Sequence, residues 1–286
     1  MKIALASCEE LPGWEVDDKP LIAELESKGA IVETPAWTDD IDWGQFNATI
    51  IRTTWDYHLN ISEFLKWTKR VPRLYNNAAI VFWNSHKSYL KEMESKGATL
   101  APTRWIQQGE RCDIKQALNI FGVQQGFLKP QVGACASDTF RFDETQFTEA
   151  QDFLNKRSDI DMMLQPYIAS VETIGELTAI FFNGEFSHGV QKIPVPGDYR
   201  VQDDFGATDM PYEFTPQEIK RMEKMLAMVP ENEQLLYARF DFLKNNNGEL
   251  LLNELELIEP SLFFRHSEKS PALFANAIFD TVSQQV

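Results

Sequence analysis

The run Tyr237-Ala-Arg-Phe-Asp-Phe-Leu-Lys-Asn-Asn-Asn-Gly-Glu-Leu-Leu-Leu-Asn-Glu-Leu-Glu-Leu-Ile-Glu-Pro260 constrains this chain most, because it puts acidic side chains where strand design does not ask for them. Two apolar, β-compatible runs flank Asn247-Gly248, a dipeptide that tolerates positive φ at both central turn positions and predicts a two-residue hairpin loop. In that register Asp241 faces Glu254 and Arg239 faces Glu256. Strand alternation then sends Arg239, Asp241, Glu254 and Glu256 to one face and Ala238, Phe240, Phe242, Leu255 and Leu257 to a core. Three carboxylates facing one another repel. A hard divalent cation, Mg²⁺ or Mn²⁺, removes that cost and completes its shell with water and substrate phosphates. The competing reading is a solvated acidic face offset by Arg239.

The rest of the chain limits what such a hairpin serves. Its 286 residues and 43% hydrophobic content suit roughly two globular domains. A net charge of -16 argues against a nucleic-acid surface or an anionic membrane, both of which need clustered Lys and Arg. A nucleotide site in so acidic a chain must gather its few cations in one place, and Lys87, Lys129, Lys192, Arg200 and Arg239 are the candidates. Cys8, Cys112 and Cys135 are odd in number and lack metal-ligand spacing, which predicts a reducing compartment. With no signal-like start and no apolar run long enough for a bilayer, a cytoplasmic protein is expected.

Strands expected at residues 2–6, 30–34 and 48–52 alternate with a helix near 19–28 and predict a parallel α/β unit over residues 1–85. Ligands of such sheets sit on loops after the strand ends. The loop Arg52-Thr-Thr-Trp-Asp-Tyr-His58 offers Arg52, Thr54 and Asp56 to a small polar zwitterion, although Trp55 and Tyr57 could equally cover the sheet edge. A helix capped by Asn84 or Ser85 should carry Lys87 toward Gly97. Lys129 lies on a strand before the small-residue run Gly133 to Ser137. That run ends without the Gly-Lys-Ser/Thr of a Walker A motif, and either a phosphate loop or a plain β-turn fits it. Met162 to Ala169 is interrupted by Pro166 and reads as an edge strand or a connection. Asn183-Gly184 predicts a second hairpin, residues 194–209 read as a long functional loop, and helices are expected at 216–228 and 271–283.

In this order the pieces resemble the ATP-grasp superfamily of carboxylate–amine ligases: Lys87, strand-borne Lys129, a hinge at Gln165 to Ile168, and a late set of Asp241, Glu254 and Glu256. Glu256 stands where many members have Asn. Cys8-Glu-Glu-Leu-Pro, Arg52-Thr-Thr-Trp-Asp-Tyr-His, Trp83-Asn-Ser-His-Lys-Ser-Tyr-Leu and Glu254-Leu-Glu-Leu-Ile-Glu-Pro-Ser-Leu-Phe are more narrowly similar to the subgroup containing the cyclo-ligase of D-cycloserine biosynthesis, which carries acids at both late positions. The resemblance implies a mixed α/β, ATP-grasp fold. Residues 1–85 would form a Rossmann-like substrate domain, 86–165 a central lid-like subdomain, and 166–286 a C-terminal antiparallel-sheet subdomain with the metal site.

It also implies ATP and Mg²⁺ (or Mn²⁺) as cofactors, with an acyl phosphate formed on a small amino-acid-like carboxylate and then attacked by a nitrogen. The metal would fall to Asp241, Glu254 and Glu256. ATP would fall to Lys87, Lys129, the Gly133 to Ser137 loop, Gln165, Tyr167, Ile168, and Glu172 or Glu176. Lys192, Arg200 and Arg239 would meet the transferring phosphoryl group, and Arg52, Thr54 and Asp56 the substrate. Cyclisation of O-ureidoserine, joining of two amino acids, and a non-catalytic ATP sensor all stay open, as does a homo-oligomer.

Overall fold

The computed structural model describes residues 1–11, 17–133, 138–202 and 205–284. It begins with the expected alternation. Strands β1 (Lys2–Ser7), β2 (Ile31–Glu33), β3 (Ala48–Thr53) and β4 (Leu74–Tyr75) form a parallel sheet in the order β2-β1-β3-β4. Helices α1 (Lys19–Ser27) and α2 (Ile61–Arg70) connect them. Successive residues of β1 serve opposite cores, as a sheet covered on both faces requires. Ile3 and Leu5 pack with α1 and the C-terminal helix, while Ala4 and Ala6 pack with Trp37, Trp43, Phe64 and Trp67.

Helices α3 (Ala78–Asn84) and α4 (Ser88–Ser95) lead out of this unit. Neither Asn84 nor Ser85 caps α4, which corrects the sequence expectation. Asn84 ends α3 and spends its amide on Leu255 O (2.8 Å) and Leu257 N (2.9 Å), and the Ser85 hydroxyl donates to Phe82 O. A second sheet follows, in the order β5-β8-β6-β7. It is built from β5 (Arg104–Ile106), β6 (Gly126–Pro130), β7 (Phe140–Phe142) and β8 (Met162–Pro166), with α5 (Ile114–Phe121) and α6 (Phe147–Asn155) packed on it. Strand β8 is therefore interior rather than an edge. Pro166 is tolerated because it is the last residue of the strand, where a missing N–H removes no interior ladder bond.

The third sheet, antiparallel, runs β11-β10-β9-β12-β13. Its strands are β9 (Glu176–Phe182), β10 (Glu185–Ile193), β11 (Thr208–Tyr212), β12 (Tyr237–Lys244) and β13 (Leu250–Glu256). Asn183 and Gly184 both adopt positive φ, as a tight β9–β10 turn needs. Strand β11 emerges where only loop was expected. Helix α7 (Pro216–Leu226) starts with a capping box between Thr215 and Glu218, and α8 (Ser270–Ser283) closes the chain.

The hairpin β12–β13 reaches the expected pairing by an unexpected route. Arg239 pairs with Glu256 and Asp241 with Glu254, but Phe242 pairs with Leu252. Asn253 is an extra residue, a β-bulge that shifts the register by one. The turn absorbs the shift by lengthening. Lys244 pairs with Leu250, and the Asn245 carboxamide accepts from Asn247 N and Glu249 N inside a five-residue loop. Phe240, Phe242, Ala238, Leu255 and Leu257 fill the core behind it.

Candidate active site

A cavity of about 480 Å³ lies where the three sheets meet, walled by the charged face of β12–β13. Residues 239 and 241 reach it by alternation on β12. Residues 254 and 256 do so on β13, and the bulge adds the side chain of Asn253. Lys129 projects from β6 and Lys87 from the start of α4.

The charges at this floor form pairs. Asp241, only 2% exposed, accepts from Lys192 Nζ (3.0 Å), Thr178 Oγ1 (2.5 Å) and Arg239 (2.9 Å). Burial works against its charge, but Arg239 and Lys192 hold its pKa down at about 2. Lys192 also meets Glu176 at 2.6 Å, and Glu176 accepts from Asn253 Nδ2. Lys87 bridges Glu254 (2.7 Å) and the carbonyl of Gly133 (3.1 Å), and Arg239 pairs with Glu256. Among the described residues Lys129 donates to Asn253 Oδ1, at 3.2 Å, and has no ion pair. Burial, aided by Lys87 and opposed by Glu254, lowers its pKa to about 8. Glu256 is pushed up to about 7 by burial and by Asp241 and Glu254, against the pull of Arg239. Glu259 is pushed up further, by burial and by Glu256 and Glu254.

Among the described residues no three His, Cys, Asp or Glu side chains are gathered as a ready-made metal group. Asp241, Glu254 and Glu256 instead turn to Arg239, Lys192 and Lys87. The donor chemistry nonetheless fits a hard divalent cation. All three are carboxylates on one cavity wall, and the raised pKa of Glu256 marks local negative charge that a cation would relieve.

The remaining expected residues divide. Gln165, Tyr167 and Ile168 also line the cavity, where Val171, Leu243 and Leu251 add apolar lining; Gln165 Nε2 donates to Thr103 Oγ1. Glu176 lines the cavity with its carboxylate already committed. Glu172 is not in the wall and pairs with Tyr167 and Arg141. Arg200, in the segment that follows β10, reaches the cavity and is held by Asp198 at 2.7 Å. Gly133 lines the cavity, whereas Ser137 lies outside the described residues.

The structure does not bring Arg52, Thr54 and Asp56 to the wall. Arg52, 2% exposed, is bound bidentately by Asp18 (2.9 Å) and donates to Pro260 O (3.0 Å). Thr54 is fully buried, and Asp56 accepts from the Trp37 indole at 2.7 Å. These three sit one residue out of phase with the cavity. From the same loop it is Trp55 and Tyr57 that line it, joined by Asp17, Glu259, Ser261, Phe263 and Arg265. The run Ile258-Glu-Pro-Ser, directly after the metal-set strand, was the one sequence signal that could have pointed to this group.

The geometry agrees with known proteins. The crystal structure of D-cycloserine synthetase DcsG superposes with a TM-score of 0.86 at 26% identity, covering 99% of this chain and 100% of that one. The chain has the ATP-grasp fold of an ATP-dependent ligase. Its sequence is 27% identical to the cycloserine biosynthesis protein DcsG of Streptomyces lavendulae, over 92% of this chain and 93% of the relative. Residues 3–76 match the family described as the N-terminal domain of D-cycloserine synthetase DcsG. The ATP-grasp fold extends to D-alanine–D-alanine ligase from Bacillus anthracis complexed with ATP, with a TM-score of 0.70 at 14% identity over 99% and 98% of the two chains. It extends also to the ATP-grasp ligase PsnB, at 0.68 and 12% over 97% and 98%. Among the described residues no helix of this ligase is long and apolar enough to cross a membrane.

Proposed function

We propose that this ligase uses ATP to activate the carboxylate of a small amino-acid-like substrate as an acyl phosphate, and then closes a C–N bond within the same molecule. The observation that carries the reading is the single cavity in which Lys87, Lys129, Lys192, Arg200 and Arg239 converge beside apolar lining. Phosphoryl transfer needs alignment and cations around the equatorial oxygens rather than covalent help from the protein. Lys87 and Lys129 would hold the α- and β-phosphates, and Gln165, Tyr167 and Ile168 the adenine. Lys192 and Arg239 would meet the developing charge, with Arg200 joining once it leaves Asp198. Glu254 and Glu256, with Asp241, would hold Mg²⁺, and Mn²⁺ is the alternative. When bound, the metal would neutralise charge on the transferring phosphoryl group.

Intramolecular closure is favoured over joining two molecules by the likeness to D-cycloserine synthetase across nearly the whole chain. The cavity suits it too, since about 480 Å³ must take nucleotide and substrate together. The test is phosphate release from Mg·ATP across a panel of amino acids and O-ureidoserine, with mass spectrometry of each active mixture. A product with one substrate skeleton supports cyclisation. A product with two replaces it by an amino-acid ligase, and ATP binding without stimulated release supports a sensor instead.

A further inference from the structure

Six carboxylates of the described residues face the cavity: Asp17, Glu176, Asp241, Glu254, Glu256 and Glu259. Five are already engaged. Asp17 accepts the backbone amides of Phe264 (2.8 Å) and Arg265 (3.1 Å), and the next four pair with Lys192, Arg239 or Lys87. The Glu259 carboxylate has no ion pair and no side-chain partner among the described residues. Yet its backbone is held more firmly than most loop backbone. Trp55 Nε1 donates to Glu259 O (3.2 Å), Arg52 to Pro260 O (3.0 Å) and Tyr237 Oη to Ile258 O (2.7 Å), while Pro260 restricts the residue before it. A half-buried carboxylate on a fixed backbone, with no cationic or side-chain partner among the described residues and only its own backbone amide as donor, gains from a ligand that supplies a charged donor.

The surroundings specify that donor. Glu259 brings negative charge to this end of the cavity, near Glu254 and Glu256, and the rings of Trp55 and Tyr57 line it alongside. Both features favour a small organic cation over a neutral or anionic group. We propose that Glu259 anchors the α-ammonium of the substrate and is thereby the residue that makes this ligase demand an amino acid rather than a simple carboxylic acid. The assignment rests on the amino-acid reading of the function given above. It places the ammonium at the junction of the parallel sheet's loops with the post-β13 loop, with the carboxylate borne on the same carbon turned toward Arg239 and the phosphate-side lysines.

The test compares wild type with Glu259→Gln and Glu259→Ala on the best amino-acid substrate and its des-amino analogue. It uses phosphate release for turnover and calorimetric titration of both compounds into the Mg·ADP complex for binding. Wild type should prefer the amino acid by roughly 100-fold or more. Glu259→Ala should collapse that preference to a few-fold, through KM and affinity for the amino acid. Glu259→Gln should keep the fold and fall between, and the KM for ATP and the magnesium requirement should not move. Three results overturn the proposal: an intact preference in Glu259→Ala, a loss in kcat with KM unchanged, or a raised magnesium requirement that would make Glu259 a metal ligand. If no panel compound drives turnover in wild type, the functional reading fails, and the titrations still decide the ammonium site. Equal wild-type affinity for the two compounds overturns it.

Discussion

The two ends of the cavity are built on opposite plans. At the phosphate end most charged groups rise from a strand or a helix start and are matched: Lys192 with Glu176 and Asp241, Arg239 with Asp241 and Glu256, Lys87 with Glu254. At the substrate end the lining residues sit on loops after β3 and β13. A charged neighbour serves as a strut: Arg52 is tied to Asp18 and to the carbonyl of Pro260. The difference teaches that a paired cluster can be ready for a polyanion by exchanging partners. A loop-built end needs buried ties from elsewhere to hold its backbone still.

The largest effect should come from breaking the matched cluster. Asp241→Ala leaves Lys192 and Arg239 without their shared anion, and should cost about 3–5 kcal/mol of stability as well as turnover. A denaturant midpoint close to wild type would show that the cluster is not a structural unit. Arg52→Met probes the strut at the other end. It should lose about 3 kcal/mol, at the lower end of that range because Asp18 is partly exposed and can rehydrate. The surviving folded enzyme should keep its ATP KM. If the substrate KM rises while stability is unchanged, Arg52 contacts substrate after all.

His188 supports the same end from β10, where its Nε2 meets the carbonyls of Leu262 (3.1 Å) and Phe263 (3.3 Å). Burial lowers its pKa to about 4, below the ordinary value of 6.5. A folded-state pKa below the unfolded one means the unfolded chain binds the proton first. The contribution of His188 is therefore complete above pH 6.5 and lost as pH falls toward 4, by about 2–3 kcal/mol. Urea titrations across that window should show the slope in wild type and a shallower one in His188→Gln; identical slopes would remove the histidine from the account. The smallest effect is expected from Trp55→Phe, which deletes the indole donor to Glu259 O. About 1 kcal/mol should appear as a several-fold rise in amino-acid KM, with ATP KM constant. A change in both constants would mean that the two ends are coupled.

Much of the phosphate end was legible in the chain because strand periodicity is a local rule. Alternation alone put Arg239, Asp241, Glu254 and Glu256 on one face and Phe240 and Leu255 on the other, and the parallel pairing of the first strands followed from alternating strands and helices. Even there the two-residue turn was misread. The Asn253 bulge and the five-residue loop offset each other, so the pairing at the site held for a reason that the turn dipeptide does not contain.

The sequence by itself determined which residue types share a strand face and how many cations an acidic chain had to spare. The tertiary structure decided which of those groups meet. Arg52 and Asp18 are 34 positions apart and Arg52 and Pro260 are 208 apart, so nothing near Arg52 in the chain says that its charge is consumed inside the protein. Likewise Glu259 becomes an unpaired acid facing the cavity only when the loops after β3 and β13 are brought together. Pairing and desolvation depend on neighbours distant in sequence, whereas alternation depends only on the next residue but one.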